Sequence, residues 1–495
     1  MKIGFAIGSS LLALSACAPA TVQVGAEDPN PSALSLMPPK EIEKNRLIVL
    51  SDIEADPDDA QSFVRLFLYA NDIDIEGIIA TTSVHQKAEI RPESIHEILS
   101  AYRDVHQTLT QHDPDFPAPE TLGALVKSGS AEYGLFGVGE GKDTEGSDWI
   151  IAALEAEDDR PLWVSVWGGP NTLAQALYKI RSTRTPEDEK RLTDKLRVYT
   201  ISDQDDSAIW IRKEFPDIFY IVSPGGYGNG TWMGISTFIP GYSDSIKNTW
   251  FAENIQQGHG PLGTKYPDTA YGYEGDTPAY LSLIPNGLNA PEHPNWGGWG
   301  GRYALATPAL EDIDPDGFTG GVPVLAEPRP IWTNASDKYT PWKPSDFGRV
   351  IEKSKETFDG NRVTLWRWRD AVQNDFAARM DWTVSTYAEA NHPPLPKIKG
   401  PKTFSVASGE VFRLDASNSV DPDGDSLSYH WFNYPEAGTL ETPFGIEADG
   451  VISETFVTAP TLSETQTGHI ILKVTDRGTP PLTRYARIIV TVEAE

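Results

Sequence analysis

The residues best suited to chemistry are five carboxylates within eight residues: Asp52, Glu54, Asp56, Asp58 and Asp59. The last three fall where a helix is predicted to begin, and acidic groups there complement the helix dipole. The first two precede that helix, so they add like-charge repulsion that a cation would relieve. Oxygen ligands of this kind suit a hard ion such as calcium or magnesium. The segment therefore predicts a metal or catalytic site.

A strand and a helix are predicted to position these carboxylates. The apolar run Leu47–Leu50 precedes them and is typical of a strand that is buried on both faces. Pro57 suits the first position of a helix, which would place Asp56 at the N-cap. Apolar residues between Ala60 and Phe67 share one helical face. The pattern is strand, acidic loop and helix, and ligands bind at such junctions in open α/β sheets.

The acidic segment resembles the signature loop of the nucleoside hydrolases, Asp-x-Asp-Pro-Gly-x-Asp-Asp, with matches at Asp52, Asp58 and Asp59. It is more similar to the form Asp-x-x-x-Asp-Pro-Asp-Asp of a bacterial nucleoside hydrolase-like domain family, whose members are described as cellulose-binding proteins. The segments 274–278 and 296–303 also resemble that family.

This resemblance implies a calcium ion and roles for individual residues. The implied metal ligands are Asp52, Asp59 and Asp276. The implied catalytic residues are Asp58, which would hold sugar hydroxyls, and either Glu54 or Asp56, which would activate water.

The chain up to about residue 390 alternates between apolar runs and helical patterns. After the first strand, further strands are predicted at 75–80, 161–167, 196–201 and 219–222. This alternation predicts an α/β fold with a mostly parallel sheet and helices on both faces. The resemblance implies that this sheet is nucleoside hydrolase-like. The polar ends of its strands should converge on one rim. Candidate substrate-binding residues there are His85, Trp167, Asn171 and Asp203.

The segment 224–344 is irregular and rich in Gly, Pro, Trp and Tyr. A long irregular insertion inside a compact domain is expected to build a site. Trp296 and Trp299 alternate with glycines, so their indole rings are expected to lie open against a sugar ring; a glycine-rich turn with structural tryptophans is the alternative. Together with Glu274 and Arg302, these tryptophans complete the candidate substrate-binding residues.

The ends of the chain indicate an exported protein with two domains. Residues 1–17 read as a signal peptide, and Cys17, the one cysteine of the chain, ends a segment that resembles a bacterial lipobox. The resemblance implies an extracytoplasmic lipoprotein, at the outer membrane or cell surface, whose sole membrane contact is its lipid anchor.

Three further segments are predicted after the signal peptide. A flexible tether is predicted at 18–44, the nucleoside hydrolase-like domain at 45–390 and an immunoglobulin/cadherin-like β-sandwich at 397–495. The acidic turn 421–425 of the sandwich either holds calcium or is simply a turn of Asp, Pro and Gly. The sandwich itself is expected to serve spacing or docking.

These observations lead to a calcium-dependent glycoside hydrolase acting on a glycan-derived or furanosyl substrate. Glycosyl hydrolysis needs activated water and negative charge near the anomeric carbon, and the acidic segment offers both. A carbohydrate-binding surface lipoprotein without turnover is the rival hypothesis. The formal net charge of −30 argues against nucleic-acid binding, and the lack of a basic phosphate-binding segment disfavours a phosphoesterase. Oligomeric state stays open.

Overall fold

The computed structural model describes residues 43–494, except 225–226, 229, 314–321, 323–324, 345–350 and 448–451. The predicted signal peptide with Cys17 and nearly all of the tether lie outside the described residues. No helix of the described part is long and apolar enough to cross a membrane.

The first part of the chain is built around an eight-stranded sheet with the strand order β3-β2-β1-β4-β5-β6-β8-β7. All neighbouring strands in it are parallel except β7 and β8. This confirms the predicted α/β class. The strands are β1 (Asn45–Ser51), β2 (Ile73–Ala80), β3 (Val126–Ser128), β4 (Leu162–Val166), β5 (Leu196–Thr200), β6 (Phe219–Val222), β7 (Tyr303–Ala306) and β8 (Ile331–Asn334).

Helices cover both faces of the sheet. Along β1, Leu47 and Val49 join one hydrophobic core, whereas Ile48 and Leu50 join the other. Successive side chains of a strand point to opposite faces, so an uninterrupted apolar run fits a strand with a core on each side. The helices are α1 (Asp58–Phe67), α2 (Pro92–His112), α3 (Pro119–Ala124), α4 (Glu145–Glu155), α5 (Asn171–Thr183), α6 (Pro186–Lys195), α7 (Ser207–Glu214), α8 (Gly230–Gly234), α9 (Asn248–Phe251), α10 (Gly260–Thr264), α11 (Pro278–Leu281), α12 (Leu310–Ile313), α13 (Val363–Trp366) and α14 (Arg369–Asp381).

The strand order opens a crevice beside β1. From β1 the chain proceeds to β2 and β3 on one side, then returns to build β4, β5 and β6 on the other. Ligands of open α/β sheets bind at such a switch point, outside the carboxyl ends of the strands. The acidic segment follows β1 directly and therefore lies at this crevice.

Helix α1 begins one residue later than predicted. Pro57 occupies the N-cap, a position where it offers no side-chain acceptor. The Oδ1 atom of Asp56 accepts a hydrogen bond of 3.2 Å from the backbone N–H of Asp58, the first residue of the helix. Asp56 is thus held by the helix start without being its cap.

The C-terminal part is a β-sandwich, as predicted. One sheet has the order β13-β19-β18-β15 and the other β14-β17-β16, with a shared hydrophobic core between them. Two small sheets, β10-β11 and β12-β9, precede it. These strands are β9 (Asp337–Tyr339), β10 (Trp342–Pro344), β11 (Ile351–Lys353), β12 (Phe358–Gly360), β13 (Thr403–Ala407), β14 (Val411–Asp415), β15 (Ser428–Asn433), β16 (Gly445–Ile446), β17 (Glu454–Thr458), β18 (Gln466–Thr475) and β19 (Thr483–Glu493).

Buried polar contacts join the sandwich to the first part within one compact unit. The guanidinium of Arg487, on β19, donates to the carbonyls of Leu288 and Gly297, each at 2.7 Å. The hydroxyl of Tyr434 donates to the Asp337 carboxylate at 2.8 Å. These contacts are buried, so the sandwich acts as a structural brace for the first part in addition to any spacing role.

One histidine of the sandwich should make folding sensitive to acid. Burial, with the charge of Lys473 as a further cause, lowers the pKa of His430 from 6.5 to about 3. The unfolded chain therefore takes up a proton at this position first as the pH falls below 6.5, and stability is lost on acidification. Relative to pH 8, we expect a loss of about 2 kcal/mol at pH 5 from this residue.

Chemical denaturation at both pH values measures this loss. The variant His430→Asn should lack the His430 share of the pH dependence. Equal pH dependence in the two proteins would contradict the assignment.

Candidate functional site

A cavity of about 450 Å³ opens at the carboxyl ends of β1, β4 and β5. This volume lies within the range of about 300–1,000 Å³ that is usual for small-molecule sites. Five aspartates of the lining form what we call its acidic side, and the tryptophans and tyrosines form what we call its aromatic side. Its lining residues are Asp52, Ala55, Asp56, Asp58, Asp59, His85, Trp167, Ile201, Gln204, Tyr227, Trp232, Met233, Tyr271 and Asp276.

The start of α1 brings three carboxylates together. Asp56, Asp58 and Asp59 each have one carboxylate oxygen within 4.8 Å of those of the other two. Asp59 accepts a hydrogen bond from the hydroxyl of Ser51, the last residue of β1. The strand end and the first helical turn thus orient oxygens that a hard cation can accept as ligands.

Asp52 and Asp276 complete the acidic side. A Cβ atom at Gly168 would lie 2.8 Å from the carboxyl group of Asp52, so the absence of a side chain after β4 is what lets this carboxyl pack there. Asp276 returns from a distant loop and is 1% exposed. Its Oδ2 has no hydrogen-bond partner among the residues that the structure describes. An unpartnered buried carboxylate oxygen is an observation that fits a bound cation.

The carboxyl groups of this side disfavour one another's ionisation. Burial is the largest cause that raises the pKa of Asp52 to about 7; a hydrogen bond with Ser83 lowers it and the charge of Asp56 raises it further. Burial, followed by the charge of Asp52, raises the pKa of Asp59 well above its usual value. The pKa of Asp276 rises for the same reasons, burial first and then its acidic neighbours. A bound cation would offset this repulsion.

The aromatic side carries polar edges. The indole N–H of Trp232 donates to Asp58 Oδ2 at 2.7 Å, and its ring centroid lies 5.4 Å from that of Tyr227. The Tyr227 hydroxyl and His85 Nε2 are 2.7 Å apart and share a hydrogen bond. Trp167 is fully buried, whereas Tyr271 is 78% exposed at the cavity mouth. Ring faces with polar edges suit a sugar, which has apolar faces and hydroxyl rims.

Gln204, rather than the predicted Asp203, reaches the cavity from the end of β5. Its amide N–H donates to the Trp167 carbonyl, and its buried Oε1 has no partner within the described residues. Asp203 pairs with Arg212 on α7, with N–O distances of 2.9 and 2.7 Å. Asp203 and Gln204 point in different directions, so Gln204 Oε1 is the atom available to accept a hydrogen bond from a ligand.

Glu54 does not line the cavity. Its backbone has a φ of +78°, and its carboxylate lies outside, where Ser94 donates to it and Arg91 pairs with it at 3.4 Å. The side chain is about half exposed. The prediction left Glu54 and Asp56 as alternatives for water activation, and only Asp56 has a position at the cavity.

The two predicted tryptophans are not open platforms, which corrects that expectation. Trp299 is 1% exposed. Trp296 stacks on His293 at a centroid distance of 3.9 Å and meets the edge of His469 in the sandwich. Arg302 pairs with Asp337 at 2.6 Å instead of facing a ligand. The alternative, structural tryptophans in a glycine-rich turn, describes this segment.

Two other candidates support the cavity from behind. Asn171 is fully buried and donates to Thr82 Oγ1 at 2.9 Å and to the Glu132 carbonyl at 2.7 Å. Glu274 is equally buried and accepts from Arg65 of α1 at 2.9 Å. Both orient loops that carry lining residues, and neither lines the cavity itself.

Several lining residues escaped the sequence analysis. Tyr227, Trp232, Met233 and Tyr271 come from the segment predicted to be irregular, where only the abundance of aromatic residues and glycines indicated a site. Gln204 is adjacent to the predicted candidate Asp203, but its side chain is uncharged, so no signal in the sequence indicated it.

The fold and the acidic cavity at its switch point define a nucleoside hydrolase-like protein. Residues 46–303 match the family described as "Cellulose-binding Sde182, nucleoside hydrolase-like domain", and residues 411–492 match "Cellulose-binding protein Sde0182, C-terminal domain". The chain belongs to this family of cellulose-binding, nucleoside hydrolase-like proteins.

One solved structure agrees with this assignment. A nucleoside hydrolase-related hypothetical protein from Saccharophagus degradans, associated with carbohydrate metabolism, is 33% identical, with a TM-score of 0.74, over 91% of this chain and 100% of that one. The effector protein XOO4466 is 10% identical over 59% of this chain and 88% of its own, with a TM-score of 0.31, too low to support an argument. No curated protein matches the chain.

Proposed function

We propose that the protein is a calcium-dependent glycoside hydrolase that acts on a neutral, glycan-derived or furanosyl substrate outside the cytoplasm. The observation that carries this proposal is the convergence of Asp56, Asp58 and Asp59 with two further buried aspartates in one cavity that also has an aromatic side. The family's description as cellulose-binding and the relative's association with carbohydrate metabolism support a sugar ligand.

Calcium would be held by Asp52, Asp59 and Asp276, which are close enough for their charges to act on one another, with Asp56 and Asp58 close by. Bound there, the ion would orient sugar hydroxyls and lower the pKa of a water molecule. Asp56 would accept the proton of the attacking water, since it faces the cavity and is held by the start of α1. Asp58 would accept hydrogen bonds from sugar hydroxyls, while the negative charge of the cluster stabilises an oxocarbenium-like transition state.

The opposite side would bind the sugar and its leaving group. Tyr271 offers an exposed ring face, and Gln204 Oε1 offers an acceptor for a hydroxyl. The hydrogen-bonded pair of His85 and Tyr227 lies on this side and could protonate the leaving oxygen.

The charge of the lining favours uncharged substrates. Among the described lining residues there are five carboxylates and neither lysine nor arginine. Phosphate or sulfate groups would be repelled by such a cavity, since like charges in a partly buried site are poorly screened. This supports a neutral sugar and speaks against a phosphoesterase.

Calcium should stabilise the protein measurably. A ligand at 100 times its dissociation constant raises the free energy of unfolding by about 2.7 kcal/mol. Thermal unfolding in excess calcium is therefore expected to occur at a higher temperature than in a chelator. The variant Asp59→Asn should lose this shift. An unfolding temperature that calcium and chelator leave unchanged would contradict the metal part of the proposal.

A carbohydrate-binding protein without turnover is the second candidate, favoured by the family's description as cellulose-binding. Screening aryl furanosides, aryl pyranosides, nucleosides and neutral oligosaccharides, with and without calcium, distinguishes the two. Product release that disappears in Asp58→Ala and Asp59→Ala supports the hydrolase. Saturable binding without product throughout the panel supports the binder.

Export and lipid attachment at Cys17 remain part of the proposal, on the strength of the signal-like segment. Cys17→Ala should abolish incorporation of labelled fatty acid in bacterial cells. Unchanged labelling would contradict attachment at this residue.

A further inference from the structure

Trp232 connects two loops of the cavity that are far apart in the chain. It lies on the short helix α8, and its indole N–H donates to Asp58 Oδ2 at 2.7 Å. Its ring also packs against the loop that leads to Asp276. The indole therefore contacts both a carboxylate of the first acidic loop and the returning loop.

Glycines in the returning loop make room for the indole. A Cβ atom at Gly275 would lie 2.0 Å from Trp232 Nε1 and 2.1 Å from Cδ1, which no real contact allows. A Cβ at Gly272 would lie 3.3 Å from Cη2 at the far end of the ring. Gly275 does not have a left-handed φ, so the backbone conformation does not require glycine at this position. The close approach of the indole is what requires glycine at this position.

The returning loop is itself firmly held to α1. Glu274, next to Gly275, is fully buried and accepts hydrogen bonds from Arg65 at 2.9 Å and from Tyr266 at 2.7 Å. Its backbone N–H donates to Gln61 Oε1 at 2.9 Å. The surface against which the indole packs is thus fixed relative to the helix that carries Asp58.

We propose that Trp232 is a positioning residue, which holds the carboxylate of Asp58 through Oδ2 and leaves Oδ1 to the ligand, and that Gly275 sets where the indole lies. This assignment rests on the proposed function and adds that Asp58, which has a carboxylate oxygen within 4.8 Å of oxygens of Asp56 and Asp59, also binds the calcium ion. It adds a link by which a change in the Asp276 loop alters the geometry of Asp58.

Calcium affinity of the full-length protein, measured by titration calorimetry, tests the link. Loss of a residue that orients a ligand group usually weakens metal binding about 10–100-fold. We expect a loss of that size for Trp232→Phe, which removes the N–H but keeps a ring, and for Gly275→Ala, which displaces the indole. Because both act through one hydrogen bond, the double variant should lose no more than the weaker-binding single variant.

The matched control is Gly123→Ala on α3. A Cβ there would meet nothing within 4 Å, so calcium affinity should equal that of the unaltered protein. Unchanged affinity in Trp232→Phe, or losses that multiply in the double variant, would overturn the proposal.

Absence of calcium binding would refute only the metal part of the proposed function. A spectroscopic measurement then still tests the positioning role of Trp232. The indole ¹⁵N–¹H resonance that Trp232→Phe removes reports the hydrogen bond directly. It should shift in Asp58→Asn and in Gly275→Ala and stay in place in Gly123→Ala. A resonance that is indifferent to Asp58 and Gly275 would overturn the positioning role.

Discussion

Replacement of Asp56 by asparagine is expected to lower kcat by about 1,000-fold, because general base catalysis by a positioned side chain contributes about 10²–10⁴-fold. Asparagine keeps the shape of the side chain and can still accept the hydrogen bond from the backbone N–H of Asp58. The fold and the cavity should therefore persist, and KM should change much less than kcat. The measurement is steady-state hydrolysis of whichever aryl glycoside the unaltered protein cleaves.

Glu54→Gln is the matched control for this experiment. Glu54 is the other residue that the sequence predicts for water activation, yet its carboxylate lies outside the cavity with Ser94 and Arg91. Its replacement should leave kcat within about twofold, as for a surface change that touches no reacting group. The reverse result, a loss in Glu54→Gln and none in Asp56→Asn, would reject the assignment of the base.

Replacement of Asp337 by asparagine is expected to destabilise the protein by about 3–5 kcal/mol, as when one member of a buried ionic group is removed. Asp337 is fully buried and accepts from Arg302 at 2.6 Å, Arg367 at 2.8 Å and Tyr434 at 2.8 Å. The variant would leave two buried guanidinium groups without a counter-charge. Urea unfolding measures the change.

Asp359→Asn makes the same chemical change on the surface. Asp359 pairs with Lys338 at 3.7 Å, and both side chains are more than half exposed. The expected effect is below about 1 kcal/mol, since exposed ion pairs contribute little. If the two variants unfolded at the same urea concentration, the group around Asp337 would not be a stabilising junction.

The sheet could be predicted from the sequence where signals were local. The strands from β1 to β6, apart from the three-residue β3, appear as apolar runs, and helices separate them by lengths that require parallel crossovers. The strands β7 and β8 were missed. They are short and are the last two strands at one end of the sheet order, and neither gives a periodic pattern that can be recognised alone.

The site was predicted less well because side-chain direction in a loop depends on one or two backbone angles. Glu54 and Asp56 are two residues apart, and the left-handed φ of Glu54 turns its side chain away from the cavity. Asp203 and Gln204 are neighbours, and the buried Arg212 on α7 forms an ion pair with Asp203, which leaves Gln204 to face the cavity. Counting carboxylates locates the rim of the sheet, but only the turn decides which of them face the ligand.

The prediction that Trp296 and Trp299 lie open was wrong because of contacts with residues far away in the chain. Glycines around Trp296 and Trp299 suggested open rings, but residues more than a hundred positions later, in the sandwich, cover this segment. A pattern within one loop cannot reveal what packs on it.

The contact of Arg487 with the Gly297 carbonyl also bears on how such proteins can be recombined. A sandwich borrowed from a relative would bring its own residue at that position, and a mismatch would leave buried carbonyls of the first domain without donors. Exchange between relatives is therefore expected to succeed when the segments around Gly297, Asp337 and Arg487 are transferred as a set. A fusion joined only between the two predicted domains, at 391–396, would separate these three contacting stretches, although they lie far apart in the chain.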